Sequence, residues 1–155
     1  MKKNILVLSI LAIAILSLQR IYSKIDPKKV MNKKEYALYK AAYMGKTKKV
    51  LRLVKNGTNV NITSPNSQRT PLHIAASKGR LAIVKALVEN GAKLEPKNIA
   101  GKTPLHFAAE KGRFKIVKYL IQKGAAITQE IINCAKKELI KNILQNKINK
   151  VKQWN

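Results

Sequence analysis

The string Thr70-Pro71-Leu72-His73-Ile74-Ala75-Ala76 returns 33 residues later as Thr103-Pro104-Leu105-His106-Phe107-Ala108-Ala109. Recurrence at that period constrains the fold strongly. It requires like supersecondary units, none able to bury its apolar side alone, stacked on one another. Each residue of the string has a physical reason to be there. Thr70 and Thr103 suit an N-cap, where a hydroxyl accepts from a backbone N–H two or three residues on and contributes about 1 kcal/mol. Pro71 and Pro104 then take the first helical position, where a missing N–H costs nothing and φ is already helical. His73 and His106 stand where a capping box carries Glu or Gln, and an imidazole can reach back to the cap in the same manner. The alanine pairs leave room for a neighbouring helix, and Gly79 and Gly112 stop the short helix in the left-handed conformation. On this reading both histidines are structural staples.

The flanking sequence extends the pattern. Leu38, Ala41, Ala42 and Gly45 align with Leu72, Ala75, Ala76 and Gly79 at an offset of 34, but Tyr36-Ala37-Leu38-Tyr39 replaces the capping string. Ile83, Val84, Leu87 and Val88 place four apolar residues on one face of a second helix, as do Ile116, Val117, Leu120 and Ile121 in the next unit. Between units, 61–69 and 95–102 are turn-rich loops. Gly101 precedes the later string, whereas the earlier loop has Gln68 and one extra residue, so that finger is expected to differ in shape. After Ala125-Ala126-Ile127 no further loop appears. Thr128 can cap a helix at once, and Ile131, Cys134, Ala135, Leu139, Ile140, Ile143 and Leu144 continue the apolar stripe as a closing helix pair. Helices of about eight to ten residues are marginal alone, so stacking must supply the stability.

The N-terminus reads as a separate object. Two lysines lead an apolar run over 5–18, the pattern of a secretory signal, with Ser23 as a cleavage position. The alternative is an uncleaved membrane anchor with the lysines on the cytoplasmic side. The organisation expected is therefore 1–23 signal peptide or anchor, 24–34 linker, 35–145 repeat domain and 146–155 basic tail. Within the domain, 35–61 is a degenerate first repeat, 67–96 and 100–129 are full repeats, and 130–145 forms closing helices. Trp154 is available to dock on that cap. The expected localisation is secreted or periplasmic, or else anchored at the membrane.

Charge and chemistry narrow the function. The chain carries +25 at neutral pH, and 27 of its 32 basic residues are lysine. Acidic protein surfaces, nucleic acid and anionic lipid all remain open as partners, and strongly basic ones do not. A compositional origin in an AT-rich genome competes with a functional basic surface. Cys134 is the only cysteine, so no intramolecular disulfide forms, and its apolar setting suggests a small buried residue. There is no paired carboxylate, no H-E-x-x-H and no phosphate-binding glycine loop. Catalysis is not expected, and neither a cofactor nor a metal site is.

Over 35–145 the sequence resembles the ankyrin-repeat family, most specifically over 67–129. The resemblance implies an all-α solenoid of stacked helix-turn-helix units with β-hairpin loops, here preceded by an N-terminal hydrophobic helix. It also implies a protein-binding module without catalysis, monomeric, whose recognition surface is the hairpin tips and the exposed face of each first helix. Carried over by position, that surface is Tyr43 and Met44 in the first unit. It continues with Asn66, Ser67, Arg69, Ser77 and Lys78 in the second, and with Ile99, Ala100, Lys102, Glu110 and Lys111 in the third. For any single position, a merely solvated side chain is the competing reading. An acidic partner protein is favoured by charge steering. By analogy with ankyrin proteins exported by host-associated bacteria, an effector-like role follows. The reading from another class is a basic protein that binds nucleic acid or an anionic membrane through its lysines, although no aromatic stacking platform accompanies them.

Overall fold

The computed structural model describes residues 31–152. The apolar run at 5–18, the cleavage position at Ser23 and Trp154 lie outside the described residues. Those described form α1 (Lys33–Met44), α2 (Thr47–Lys55), α3 (Pro71–Lys78), α4 (Leu81–Glu89), α5 (Pro104–Glu110), α6 (Phe114–Gln122), α7 (Gln129–Cys134) and α8 (Glu138–Lys152). Successive helices pair as α1–α2, α3–α4, α5–α6 and α7–α8. The first members stack into an inner row, α1 on α3 on α5 on α7, and α2, α4 and α6 stack into an outer row.

The helix starts follow from the capping chemistry. Pro71 and Pro104 sit in the first turn behind Thr70 and Thr103. The first unit has no such string, yet its helix starts just as firmly. The Glu35 N–H donates to Asn32 Oδ1 at 2.9 Å, and the Asn32 N–H donates to Glu35 Oε2 at 3.2 Å. This is a reciprocal capping box. It draws Lys33 and Lys34, expected in the linker, into α1.

Burial follows the repeat. Leu38, Leu72 and Leu105 are fully buried at equivalent positions, and the pairs Ala41/Ala42, Ala75/Ala76 and Ala108/Ala109 are buried where the inner helices approach one another. Each such leucine contributes about 2 kcal/mol of apolar burial. The second helices add Val50, Val84, Leu87, Val117 and Leu120 to the same core, which ends on Ile131, Ile140 and Leu144.

Gly79 illustrates why the helix ends need glycine twice over. Its φ is +76°, a conformation that L side chains rarely adopt, and a Cβ there would stand 3.0 Å from the Arg113 side chain of the next unit. Arg113 Nε donates to the Ser77 carbonyl at 3.1 Å, so a cation from one unit caps the C-terminal end of the helix before it. Arg80 packs over Gly45 and Lys137 over Gly112 in the same relation.

Three expectations are corrected. The fingers are not β-hairpins: among the described residues there is no strand, and each finger is a turn closed by a few hydrogen bonds. Leu139, placed on the apolar stripe, is 58% exposed, while Ile132 is buried instead. The helix α8 continues to Lys152, so 146–152 are helical rather than a loose basic tail. Among the described residues no helix is long and apolar enough to cross a membrane.

Candidate partner-binding face

The fingers are built around one polar residue each. In the later finger Asn98 is buried, and its Oδ1 accepts from the Ala100 N–H at 3.1 Å and the Lys102 N–H at 2.8 Å. The Asn98 N–H donates to the Lys102 carbonyl at 3.1 Å, closing the turn. Ser64 does this in the earlier finger, where its N–H donates to the Arg69 carbonyl and its Oγ accepts from the Arg69 N–H at 3.2 Å. Sequence reasoning missed both. The signal was the ability of Asn and Ser side chains to imitate a backbone turn. Gln68 has φ +51° where Gly101 has +69°, so the glutamine adopts the left-handed geometry of the glycine it replaces. The Ile99 N–H donates to the Ser67 carbonyl at 3.3 Å and joins the two tips.

The histidines fix the fingers to the helices. Thr70 N–H donates to His73 Nδ1 at 3.0 Å, which leaves the ring proton on Nε2, and Nε2 donates to the Lys102 carbonyl of the next finger at 3.0 Å. Burial lowers the His73 pKa below its ordinary 6.5, and the bond to Lys102 opposes that shift. Thr103 N–H donates to His106 Nδ1 at 3.1 Å in the same way. Because no finger follows the third unit, His106 Nε2 is buried without a hydrogen-bond partner, with Glu130 Oε2 3.7 Å away. Burial lowers this pKa too, against the nearby Glu130 charge. Both rings are therefore neutral scaffold groups.

The twelve residues expected to form the face divide into two sets. Tyr43, Met44, Asn66, Lys78, Ile99, Ala100 and Lys111 are exposed. The others are partly committed to the scaffold. Ser67 Oγ lies 2.7 Å from Ser64 Oγ, and the Ser77 carbonyl receives Arg113. The Arg69 guanidinium lies 4.4 Å over the Phe107 ring, whose other neighbour is the His73 ring, edge-on at 5.7 Å. Lys102 Nζ pairs with Glu110 Oε2 at 3.0 Å, and this bond lowers the Glu110 pKa against a small opposing effect of burial. Lys111 Nζ is 3.8 Å from the other Glu110 oxygen. Contacts across units bring several together: Lys78 Nζ sits 4.3 Å over the Tyr43 ring.

The face offers apolar side chains beside the Lys78 ammonium, which has no ion-pair partner among the described residues, and beside Lys102 and Lys111, which share the single carboxylate of Glu110. Of the five large hydrophobic side chains exposed among the described residues, Tyr43 at 49%, Met44 at 52% and Ile99 at 65% lie on it. The described residues contain no cluster of His, Cys, Asp or Glu able to hold a metal ion. Cys134, expected to be buried, is half-buried; its thiol donates to the Ile131 carbonyl at 3.3 Å, and burial raises its pKa. A family model described as ankyrin repeats (3 copies) matches residues 10–98 and, in a second register, 38–131.

Proposed function

The chain belongs to the ankyrin-repeat family, and from that premise we propose that it is a non-catalytic scaffold that binds an acidic surface of another protein along its inner face. Ankyrin repeats in general mediate binding to other proteins. The observation that carries the finer reading is the exposure of Tyr43, Met44 and Ile99 at expected recognition positions, with the Lys78 ammonium 4.3 Å over the Tyr43 ring. Aromatic and aliphatic anchors ringed by like-signed charge suit a partner with complementary carboxylates. The apolar contacts supply affinity and the charges supply encounter rate and register. Capture of partners at physiological salt by the full-length chain, compared with a Tyr43→Ala/Ile99→Ala variant and a Lys78→Glu/Lys111→Glu variant, is the test. The partner should be lost from both variants. A partner retained by both refutes the inner face as the binding surface. Binding that vanishes between about 50 and 200 mM salt without partner preference would mark general polyanion attraction instead.

Export, with an effector-like role, is part of the same proposal. Its support is the two-lysine leader ahead of the apolar run at 5–18. Cell fractionation with N-terminal sequencing checks it: a mature chain beginning at Lys24 outside the cytoplasm is expected, or a full-length membrane-bound chain if the run is an anchor. Full-length chain confined to the cytoplasm overturns it.

A further inference from the structure

The face opposite the inner one carries its own groove. In the outer row α2 packs on α4 and α4 on α6, and between α6 and α8 the row opens into a groove of about 520 Å³ lined by Lys118, Ile121, Gln122, Ile143, Asn146 and Lys147. A second groove of about 280 Å³ lies on the α4–α6 side, where Leu81, Lys85, Phe114 and Lys115 line it together with Lys118 and Gln122. Lys118 and Gln122, one turn apart on α6, border both, so the two grooves lie side by side across three helices.

We propose that these two adjacent grooves together form a second binding site, distinct from the inner face, for an extended acidic peptide segment carrying apolar side chains. Its floor is apolar, from Ile121 and Ile143 at one end to Leu81 and Phe114 at the other, and its rim carries the exposed lysines Lys85, Lys115, Lys118 and Lys147. None of the lining residues is acidic. The ion pairs of lysines among the described residues engage Lys102, Lys111 and Lys141, and none of the four rim lysines. Four ammonium groups with no ion-pair partner among the described residues attract carboxylates, and the amides of Gln122 and Asn146 can both donate to and accept from a peptide backbone.

The shape decides between anionic partners. Since packed helix axes lie about 8–10 Å apart, a path across three helices with grooves between them spans at least about 20 Å, the reach of about six or more extended residues. A bilayer meets protruding lysines but does not enter a concave apolar floor. Nucleic acid calls for open aromatic platforms, and the two aromatic residues of the lining, Phe114 and Tyr119, are half-buried. A second copy of this chain, at +25, is repelled.

The test uses the full-length chain and the fluorescein-labelled hexapeptide Glu-Glu-Leu-Phe-Glu-Glu, read by fluorescence anisotropy at fixed ionic strength. Lys118→Glu/Lys147→Glu should weaken binding by about tenfold or more, while Lys78→Glu/Lys111→Glu on the inner face should change it by less than about twofold. Both variants alter net charge by the same amount, so general attraction would affect them alike. All four positions are exposed, and far-ultraviolet circular dichroism confirms that each variant is folded. Hexaglutamate should bind at least about tenfold more weakly than the probe, because it leaves the floor empty. Equal losses in the two variants, a larger loss in the inner-face variant, hexaglutamate binding as tightly as the probe, or binding to phosphatidylserine vesicles but not to the probe would each overturn the proposal.

Discussion

Two histidines in identical sequence contexts should differ in what they contribute, because one has a finger above it and the other does not. Replacing His73 by Ala unpairs the buried Thr70 N–H, takes from the Lys102 carbonyl one of its two hydrogen bonds, the other coming from the Asn98 N–H, and removes the edge contact with Phe107. At about 1–3 kcal/mol for the unpaired N–H, about 0.5–1.5 kcal/mol for the hydrogen bond lost from the carbonyl and about 0.5–1.5 kcal/mol for the ring contact, the loss is about 2–6 kcal/mol. His106→Ala unpairs only the Thr103 N–H, since its Nε2 already lacks a partner, and should cost about 1–3 kcal/mol. A difference near 2 kcal/mol moves the midpoint of urea unfolding by about 1 M for a chain of this size. The glutamine variants sharpen the comparison. A glutamine carbonyl can take over the capping bond but not the donation to Lys102, so His73→Gln should fall between wild type and His73→Ala, and His106→Gln should lie close to wild type. The measurement is the urea midpoint of the full-length chain followed by circular dichroism at 222 nm. Coincident midpoints for His73→Ala and His106→Ala would refute the argument that the inter-unit bond, rather than the cap, sets the difference.

Gly101→Ala, with open space around its Cβ, should cost about 1 kcal/mol from left-handed backbone strain alone, while Gly79→Ala should cost more because its Cβ meets Arg113. Adding Arg113→Ala to Gly79→Ala should recover part of that excess in urea unfolding; strict additivity would show that the guanidinium is not in the way. For His73 the pH dependence has a definite sign. Its folded-state pKa lies below 6.5, so the unfolded chain binds the proton first, and stability is full above about pH 6.5 and falls as pH drops towards the folded value. Long-range nitrogen NMR should find the Nε2–H tautomer, neutral at pH values where a free imidazole is already charged; an Nδ1–H ring would refute the assignment. Lys102→Met should return the Glu110 pKa towards its ordinary value in a carbon NMR titration, yet change stability by less than about 1 kcal/mol because the pair is surface-exposed.

How much was legible in the sequence depends on whether a residue's role is local or is assigned by its neighbours. The T-P-L-H strings, the alanine pairs and the stop glycines act within one helical turn, and the helices start and end where those residues require. The missing loop after Ile127 was legible too, and its consequence reaches further than the loop: it leaves His106 Nε2 unpaired. The start of α1 was missed because Asn32 and Glu35 form a capping box without the threonine and proline of the later copies, although their spacing of three was visible. The fingers were misjudged as paired strands because Ser64 and Asn98 satisfy the turns with side-chain oxygens, leaving no ladder to form. Leu139 was misplaced because helical periodicity cannot tell where a six-residue α7 will aim the helix after it. The inner-face residues were legible as positions but not as free or engaged groups. Whether Arg69 reaches outward or lies on Phe107 depends on a ring supplied by the next unit, 38 residues along the chain. Stacking thus commits Arg69, Ser77 and part of Lys102 to holding units together. Differences between repeats at Tyr43, Lys78, Ile99 and Lys111 are left to set specificity, because changing those side chains disturbs no inter-unit hydrogen bond.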